Sequence, residues 1–334
     1  MRTRVFEGSG RVTVHAVVVF FAGAACVFPG SEGASQPVPE VERETMALHR
    51  LTSPYLECPG FMNADLRLVQ ARDAVMEYIS EAQEADSTLT ISVYARDLNN
   101  GPWIGINERQ GFAPASLSKV PLMIYLLSQA EGDPSLLKRE IVFPGPDMMT
   151  EHDNMQESPE EMRLKTGESY TTWDLLYRMI AYSDNFAKEL LMKDVDPEDV
   201  NELMSAINAQ ENLVGGEYFS TPKSYSALFR ALYNASFLGR PMSENALSIL
   251  AESRFRQGMR RYLPEEVTVA SKFGYFVAGG DAIGQVQLHE CGIIYQPGSP
   301  YLLCTMTESE QASPDRLAEI VANVSRIVWE TKGG

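Results

Sequence analysis

Strand-type sequence patterns lie near both ends of this 334-residue chain, and helix-type patterns fill the long stretch between them. Apolar residues alternate from Leu89 to Ala95, and a second strand, Trp103–Ile106, follows an Asn-Asn-Gly-Pro turn. Further strand patterns occur at 267–272, 285–295 and 301–306. Strands from both ends can share one sheet when the residues between them form an insertion. We therefore predict an α/β fold in the α+β sense, with an antiparallel sheet of about five strands.

Two amphipathic helices are predicted to flank this sheet. Apolar residues recur at three- and four-residue spacing from Leu68 to Ala82 and again from Leu317 to Val328. Ser313 and Pro314 give the second helix a start signal. Between the strand regions, residues from about 112 to 262 are predicted to form a mainly helical subdomain, interrupted by a polar loop near 148–167.

The first 28 residues have the pattern of an export signal. Arginines precede an apolar run from Val12 to Phe28, which is slightly shorter than the roughly 20 residues that span a bilayer. We expect an exported protein, periplasmic, extracellular or anchored to the outer face of the cytoplasmic membrane, that contacts membrane only through this segment. Cleavage and anchoring both stay open. Residues 29–57 are proline-containing and are predicted to be a linker, and 58–334 the folded domain.

Charge and ligand chemistry exclude several classes of function. A formal net charge of -17, with no cluster of lysine and arginine, disfavours binding to nucleic acid. The chain has four histidines and four cysteines, but no CxxC spacing and no grouping typical of a zinc site. We therefore predict no metal and no cofactor.

The cysteines permit one disulfide in an oxidising compartment. If Cys26 leaves with the export signal, Cys58, Cys291 and Cys304 remain. The sequence does not select the pair.

One Ser-x-x-Lys match has the context of a nucleophile. A serine hydroxyl needs an adjacent base, and this spacing in the first turn of a helix puts both side chains on one face. Ser116 and Lys119 fit, after the first strand pair and at the start of an apolar helix. Matches at Ser135 and Ser220 lack that context.

Two further motifs follow in order, Ser183-Asp184-Asn185 after an apolar helix and Lys272-Phe273-Gly274 on a predicted strand. Each alone is typical of a local turn or of a solvated charge. Together with Ser116 and Lys119 they resemble the three-part signature of class A β-lactamases and penicillin-binding proteins, over roughly residues 60–330.

The resemblance implies roles for individual residues. Ser116 would attack a carbonyl, Lys119 would accept its proton, Ser183 would relay a proton to the leaving nitrogen, and Lys272 would supply positive charge. It also implies contacts between the substrate and Asn185, Gly274 and Tyr275, with the backbone N–H groups of Ser116 and Tyr275 forming an oxyanion hole. Asp184 is expected to stabilise its own turn.

Two departures from that family affect recognition and turnover. Phe273 replaces the Ser or Thr that usually binds the substrate carboxylate. The loop before Thr221, which holds a water-activating glutamate in class A enzymes, is shortened, and its only carboxylates, Glu211 and Glu217, lie in no recognisable motif.

The sequence therefore predicts a serine hydrolase acylated on Ser116 by β-lactams or related amides, and the shortened loop predicts slow deacylation. Two alternatives stay open. One is a penicillin-binding D,D-peptidase or esterase that acts on cell-wall peptide, and the other is a non-catalytic binding protein that retains the fold.

Overall fold

The computed structural model describes residues 51–52, 66–99, 101–149, 158–209, 212–214, 217–277 and 285–333, with only the backbone of 212–214, 217 and 218. The predicted export signal, Cys26, Cys58 and Glu211 lie outside these residues. In the described part of the chain, no helix has the length and apolar character needed to cross a membrane.

A five-stranded antiparallel sheet forms the centre of the fold, as predicted. The strands are β1 (Thr90–Asp97), β2 (Trp103–Ile106), β7 (Val269–Val277), β8 (Val286–Ile294) and β9 (Tyr301–Ser309). Their order is β2-β1-β9-β8-β7, so strands from both ends of the chain pair at the β1–β9 contact. Because side chains alternate along each strand, the sheet separates two hydrophobic cores.

The two predicted terminal helices cover one face of the sheet. Helix α1 (Leu66–Ala85) buries the predicted stripe from Leu68 to Ala82, and α8 (Pro314–Gly333) buries the stripe from Leu317 to Val328. The Arg316 N–H donates to the Ser313 hydroxyl, which is the cap expected from the sequence. Beneath these helices, Ile91, Val93 and Leu303 of the sheet complete the core.

The inserted block packs on the opposite face and is mainly helical, as predicted. Its helices are α2 (Lys119–Gly132), α3 (Thr172–Ala181), α4 (Asn185–Met192), α5 (Pro197–Ile207), α6 (Pro222–Tyr233) and α7 (Arg240–Ala251). Two short strand pairs interrupt them, β3 (Glu140–Val142) with β4 (Ser169–Thr171), and β5 (Asn212–Val214) with β6 (Glu217–Phe219). The sequence did not indicate these pairs, because three residues offer too little alternation to separate a strand from a loop.

Strand β7 differs from its prediction in both bounds. It begins at Val269 rather than 267 and continues to Val277, five residues beyond Lys272. Pairing with β8 along its whole length carries the strand past Gly274, where the local sequence gives little signal.

Part of the predicted linker contacts the domain. The backbone N–H groups of Leu51 and Thr52 donate to the Glu244 carboxylate, and the Tyr295 hydroxyl donates to the Leu51 carbonyl. These hydrogen bonds fasten this segment to α7 and to the end of β8.

A disulfide joins Cys291 on β8 to Cys304 on β9, which face each other directly in the strand register. Both side chains are buried, and Cys291 is also the register partner of Lys272 on β7. The disulfide therefore fastens the middle of the sheet beside the strand that carries Lys272.

Removing this disulfide by the double substitution Cys291→Ala and Cys304→Ala should lower the free energy of unfolding by about 3 kcal/mol, because the crosslink restricts the unfolded chain. Urea denaturation of the oxidised protein measures the change. Cys58→Ala, which leaves the crosslink intact, is the control. Equal stability of the double variant and the parent would show that the crosslink adds nothing.

Candidate active site

Ser116 lies in a single 3-10 turn, Ala115–Ser118, that runs directly into α2. The sequence predicted the first turn of an α-helix, whereas the structure has a tighter 3-10 turn, and Ala115 at its start adopts a left-handed backbone conformation with φ of 49°. Such a conformation is costly for a residue with a side chain and is typical of functional sites. Lys119 begins α2, and its Nζ lies 3.1 Å from Ser116 Oγ.

Ser183 occupies a second left-handed position, with φ of 58°, between α3 and α4. Asp184 caps α4, since its Oδ1 accepts from the Ala187 N–H at 2.9 Å. Burial raises the pKa of the Asp184 carboxyl, and the Ala187 hydrogen bond opposes that rise. This geometry matches the expectation that Asp184 stabilises its own turn, and it leaves the Ser183 hydroxyl in contact with Lys119 and Lys272.

Lys119 is the centre of the hydrogen-bond network. Its Nζ donates to Ser183 Oγ at 3.1 Å, to the Ser183 carbonyl at 2.6 Å and to Asn185 Oδ1 at 2.7 Å. The side chain is only 1% exposed. Three polar acceptors from one turn thus replace the water that a buried ammonium loses.

Lys272 reaches the same hydroxyl from β7. Its Nζ donates to Ser183 Oγ at 2.8 Å and to the Phe273 carbonyl at 2.8 Å, and the side chain is fully buried. Burial holds the pKa of Lys272 well below its usual value, the charge of Lys119 lowers it further, and the Glu290 carboxyl partly opposes both effects. Two ammonium groups so near one hydroxyl repel each other, which favours states with one neutral amine.

Gly274 is required where β7 approaches the turn Ala115–Ser118, which we call the nucleophile turn because it carries Ser116, the nucleophile that the sequence predicts. A Cβ added there would lie 3.0 Å from the Pro114 carbonyl oxygen and 3.1 Å from Leu117 Cγ. Glycine therefore lets the backbone around Tyr275 lie beside Ser116. The structure brings together the sequence-predicted Ser116, Lys119, Ser183, Asn185, Lys272 and Gly274 in one region, with Tyr275 next to it on β7.

The other two Ser-x-x-Lys matches lie elsewhere. Ser135 is in an exposed 3-10 turn, where its hydroxyl donates to Asp133. Ser220 forms an isolated β-bridge with Phe112, and Lys223 packs over the Trp103 ring. Both matches therefore have local structural roles.

Two side chains of β8 fasten the segment that leads to Ser116. Gln287 Oε1 accepts from the Ala113 N–H at 3.0 Å, and His289 Nε2 lies 3.1 Å from the Ala113 carbonyl oxygen. The Thr307 N–H donates to His289 Nδ1, so Nε2 carries the proton and donates to Ala113. Polar residues at alternating positions of an otherwise apolar strand, Gln287 and His289, are the sequence signal that could have predicted these contacts.

A third contact with the nucleophile turn comes from α6. The hydroxyl of Tyr225, which is fully buried, donates to the Leu117 carbonyl at 2.8 Å. The nucleophile turn is thereby fixed from the sheet and from the helical block.

The Phe273 ring packs into the core, and Lys272 Nζ lies 4.3 Å from the centroid of this ring. The same ring stacks on Phe255 with 4.2 Å between ring centroids, in the core beneath the terminal helices. Nearby, the buried Glu290 carboxylate accepts from the Ser271 hydroxyl and from the Met259 N–H, both at 2.7 Å. Strand β7 thus offers no side-chain hydroxyl at the position where the family usually has one.

The shortened loop forms the β5–β6 pair, and its end lies beside the segment that leads to Ser116, through the bridge between Phe112 and Ser220. The Glu217 side chain, like all of Glu211, lies outside the described structure. No described carboxylate hydrogen-bonds to the Ser116 hydroxyl. Nor does the described structure hold any group of three or more His, Cys, Asp or Glu residues that could bind a metal ion.

A sheet covered by terminal helices, an inserted helical block and a serine–lysine cluster where the two meet define a hydrolase of the serine β-lactamase fold. The sequence profile of the β-lactamase enzyme family matches residues 72–331. The chain therefore belongs to the β-lactamase enzyme family.

Solved structures share this fold at low sequence identity. A β-lactamase from Chitinophaga pinensis is 19% identical with a TM-score of 0.68, and the match covers 78% of this chain and 99% of that one. A β-lactamase from Sphaerobacter thermophilus is 22% identical with a TM-score of 0.65, covering 78% and 97%. A mutant of PBP-A in an acyl-enzyme complex with penicillin G is 18% identical with a TM-score of 0.65, covering 78% and 97%. No curated protein sequence matches significantly.

The histidine that holds Ala113 should make the protein less stable in acid. Burial lowers the pKa of His289 to about 3 from 6.5, while its hydrogen bond to Ala113 opposes the shift. Between these values the unfolded chain binds a proton and the folded chain does not. The free energy of unfolding should therefore fall as pH falls below 6.5, by about 1.4 kcal/mol per pH unit from this group.

Urea denaturation of the parent and of His289→Gln between pH 4 and pH 8 isolates this contribution, because the carboxylates are common to both proteins. The stability difference between them should shrink as the pH is lowered. A difference that stays constant with pH would contradict the assignment.

Proposed function

We propose that Ser116 is the nucleophile of this hydrolase and that β-lactams or related amides acylate it. The observation that supports this proposal most strongly is the hydrogen bond between Ser116 Oγ and Lys119 Nζ, in a cluster where Lys119 is buried. A serine hydroxyl becomes reactive when an adjacent base accepts its proton.

In the proposed acylation, the neutral amine of Lys119 accepts the proton of the Ser116 hydroxyl while Oγ bonds to the substrate carbonyl carbon. The carbonyl oxygen becomes an oxyanion. The backbone N–H groups of Ser116 and Tyr275 are proposed to stabilise it, an arrangement supported by the close approach of β7 at Gly274.

The carbon–nitrogen bond then breaks, and the leaving nitrogen needs a proton. Ser183 is suited to deliver it, since its hydroxyl lies within hydrogen-bond distance of both lysines. The Ser183 proton passes to the nitrogen, and Lys119 returns a proton to Ser183. This relay regenerates the neutral amine of Lys119.

Substrate binding would help to set the protonation of the lysine pair. The low pKa of Lys272 in the free protein follows from its burial and from the charge of Lys119. A substrate carboxylate beside Lys272 would favour the ammonium form there and therefore the neutral form of Lys119. Asn185 is proposed to contact the substrate's amide side chain.

Two alternative functions are a cell-wall peptidase and a non-catalytic binding protein. Neither is favoured by the family membership or by the similar solved structures. The acyl-enzyme complex of the PBP-A mutant with penicillin G supports a penicillin as the test substrate. Export through residues 1–28 stays a prediction, because that segment lies outside the described residues.

Fluorescent penicillin should label the purified protein, and Ser116→Ala should remove the label because the attacking oxygen is gone. Gel fluorescence measures the labelling. Ser118→Ala, in the same 3-10 turn, and Ser135→Ala, in another Ser-x-x-Lys match, are the controls and should be labelled normally. Undiminished labelling of Ser116→Ala would reject this nucleophile.

The acyl-enzyme should also be long-lived. The loop before Thr221 is shortened and its carboxylates lie in no recognisable motif, so we expect no positioned base for the attacking water. Loss of one such base slows a proton-transfer step by about 10² to 10⁴. A penicillin adduct should therefore accumulate, and intact-protein mass spectrometry after removal of excess penicillin measures its lifetime.

Rapid return to the unmodified mass, with sustained hydrolysis of a chromogenic cephalosporin, would contradict slow deacylation. Glu211→Gln and Glu217→Gln would then show which of the two carboxylates activates the water.

A further inference from the structure

A fully buried carboxyl group lies behind the strand that carries Lys272. Glu290 of β8 is the register partner of Phe273, the residue that follows Lys272 on β7. Lys272 reaches Ser183 in the helical block. The Glu290 carboxylate instead contacts Ser271, whose side chain lies on the other face of β7 because side chains alternate along a strand. The two ionisable groups therefore lie on opposite faces of one strand pair, and both are fully buried.

The fold forms a closely fitting site around the Glu290 carboxylate. Its Oε1 accepts from the Ser271 hydroxyl and its Oε2 from the Met259 N–H, both at 2.7 Å. A Cβ on Gly258 would overlap Glu290 Oε2, so glycine leaves room for the carboxylate. The Ser325 hydroxyl of α8 donates to the Met259 carbonyl at 3.0 Å and fixes this segment. Because both oxygens of Glu290 accept hydrogen bonds, the site suits the ionised form.

Lys272 forms no ion pair with a carboxylate in the part of the chain that the structure describes. Its Nζ donates to two neutral oxygens, the Ser183 hydroxyl and the Phe273 carbonyl. A buried ammonium group is costly unless negative charge lies nearby. Burial and the charge of Lys119 hold the pKa of Lys272 well below its usual value, and the charge of Glu290 opposes both effects.

The charged groups around Glu290 come from two segments. Lys272 lies on β7, and Arg260 lies between α7 and β7, where its guanidinium donates to the Ala251 carbonyl at 2.5 Å. The polar neighbours from β9 and α8 are uncharged, Thr305 and Ser325. Burial raises the pKa of Glu290, while its two hydrogen bonds and the charges of Arg260 and Lys272 lower it.

We propose that Glu290 is a positioning residue whose negative charge, held behind β7, keeps Lys272 an ammonium group for the carboxylate of a substrate. The role in acylation rests on the function proposed above, whereas the interaction between the two charges does not. In a water-excluded interior, opposite charges separated by the thickness of a strand stabilise each other and are little screened by salt. Glu290 hydrogen-bonds only to Ser271 and Met259 among the described residues, so it acts through Lys272.

Carbon-13 NMR of the full chain, labelled at lysine, tests the proposal without a substrate. The 13Cε shift of Lys272, assigned by its loss in Lys272→Ala, gives the midpoint pH of deprotonation. Glu290→Gln keeps the shape of the side chain and removes the charge, so the ammonium form loses support. The midpoint should fall by about one pH unit, a tenfold change in the proton dissociation constant.

Ser325→Ala is the matched control, because it disturbs the segment that holds Glu290 without removing a charge. Its Lys272 midpoint should equal that of the parent. Equal midpoints in the parent and in Glu290→Gln would overturn the proposal. An equal fall in Glu290→Gln and Ser325→Ala would also overturn it, since the effect would then be structural.

A measurement on the unsubstituted protein decides the question if Glu290→Gln does not fold. The 13Cδ shift of Glu290 in the parent should be that of a carboxylate at the pH where Lys272 is half deprotonated. A carboxyl group that is protonated at this pH would overturn the proposal, because it would carry no charge to support Lys272.

The pH profile of acylation by a penicillin relates this charge to function. Loss of the Lys272 proton should slow acylation at alkaline pH, and in Glu290→Gln this fall should begin about one pH unit lower. Ser325→Ala should keep the parental profile. Coincident profiles of the parent and Glu290→Gln would reject the role in acylation. A parent that forms no adduct would contradict the function proposed for Ser116 instead, and the NMR midpoints would still decide whether Glu290 supports the charge of Lys272.

Discussion

The Ser183 hydroxyl accepts hydrogen bonds from two buried lysines, and the arrangement of the site depends on this interaction. Burying two ammonium groups is unfavourable unless acceptors replace water and the charges are relieved. Lys119 obtains acceptors from the Ser183–Asn185 turn, and Lys272 from the strand that carries it. Burial and the charge of Lys119 lower the pKa of Lys272, and the proton acceptor that we propose for Ser116 must be a neutral amine.

The fold holds this cluster by joining segments that are distant in sequence. The nucleophile turn precedes α2, Ser183 lies in the helical block, and Lys272 belongs to the sheet. Positive backbone φ angles at Ala115 and Ser183 have a conformational cost, and the surrounding packing must maintain them. Tyr225, Gln287 and His289 supply such packing at the nucleophile turn.

The sequence predicted the sheet, its flanking helices and the serine–lysine motifs, because periodicity and short spacing carry that information. Ser116 and Lys119 are neighbours on one helical turn, so their proximity can be predicted without knowing the tertiary structure. The hydrogen bond between Ala113 and Gln287 of β8, and the disulfide between Cys291 and Cys304, depend on strand register. Register follows from packing across the whole sheet, so the sequence did not reveal them.

The central claim is that Lys119 activates Ser116, and the acylation rate of Lys119→Ala tests it most directly. Mass spectrometry or stopped-flow fluorescence with a penicillin gives the second-order rate constant for the parent, for Lys119→Ala and for Lys138→Ala, the lysine of another Ser-x-x-Lys match. We expect Lys119→Ala to be acylated more slowly than the parent by roughly a hundredfold or more, and Lys138→Ala to be acylated at the parental rate. Acylation of Lys119→Ala at the parental rate would contradict it.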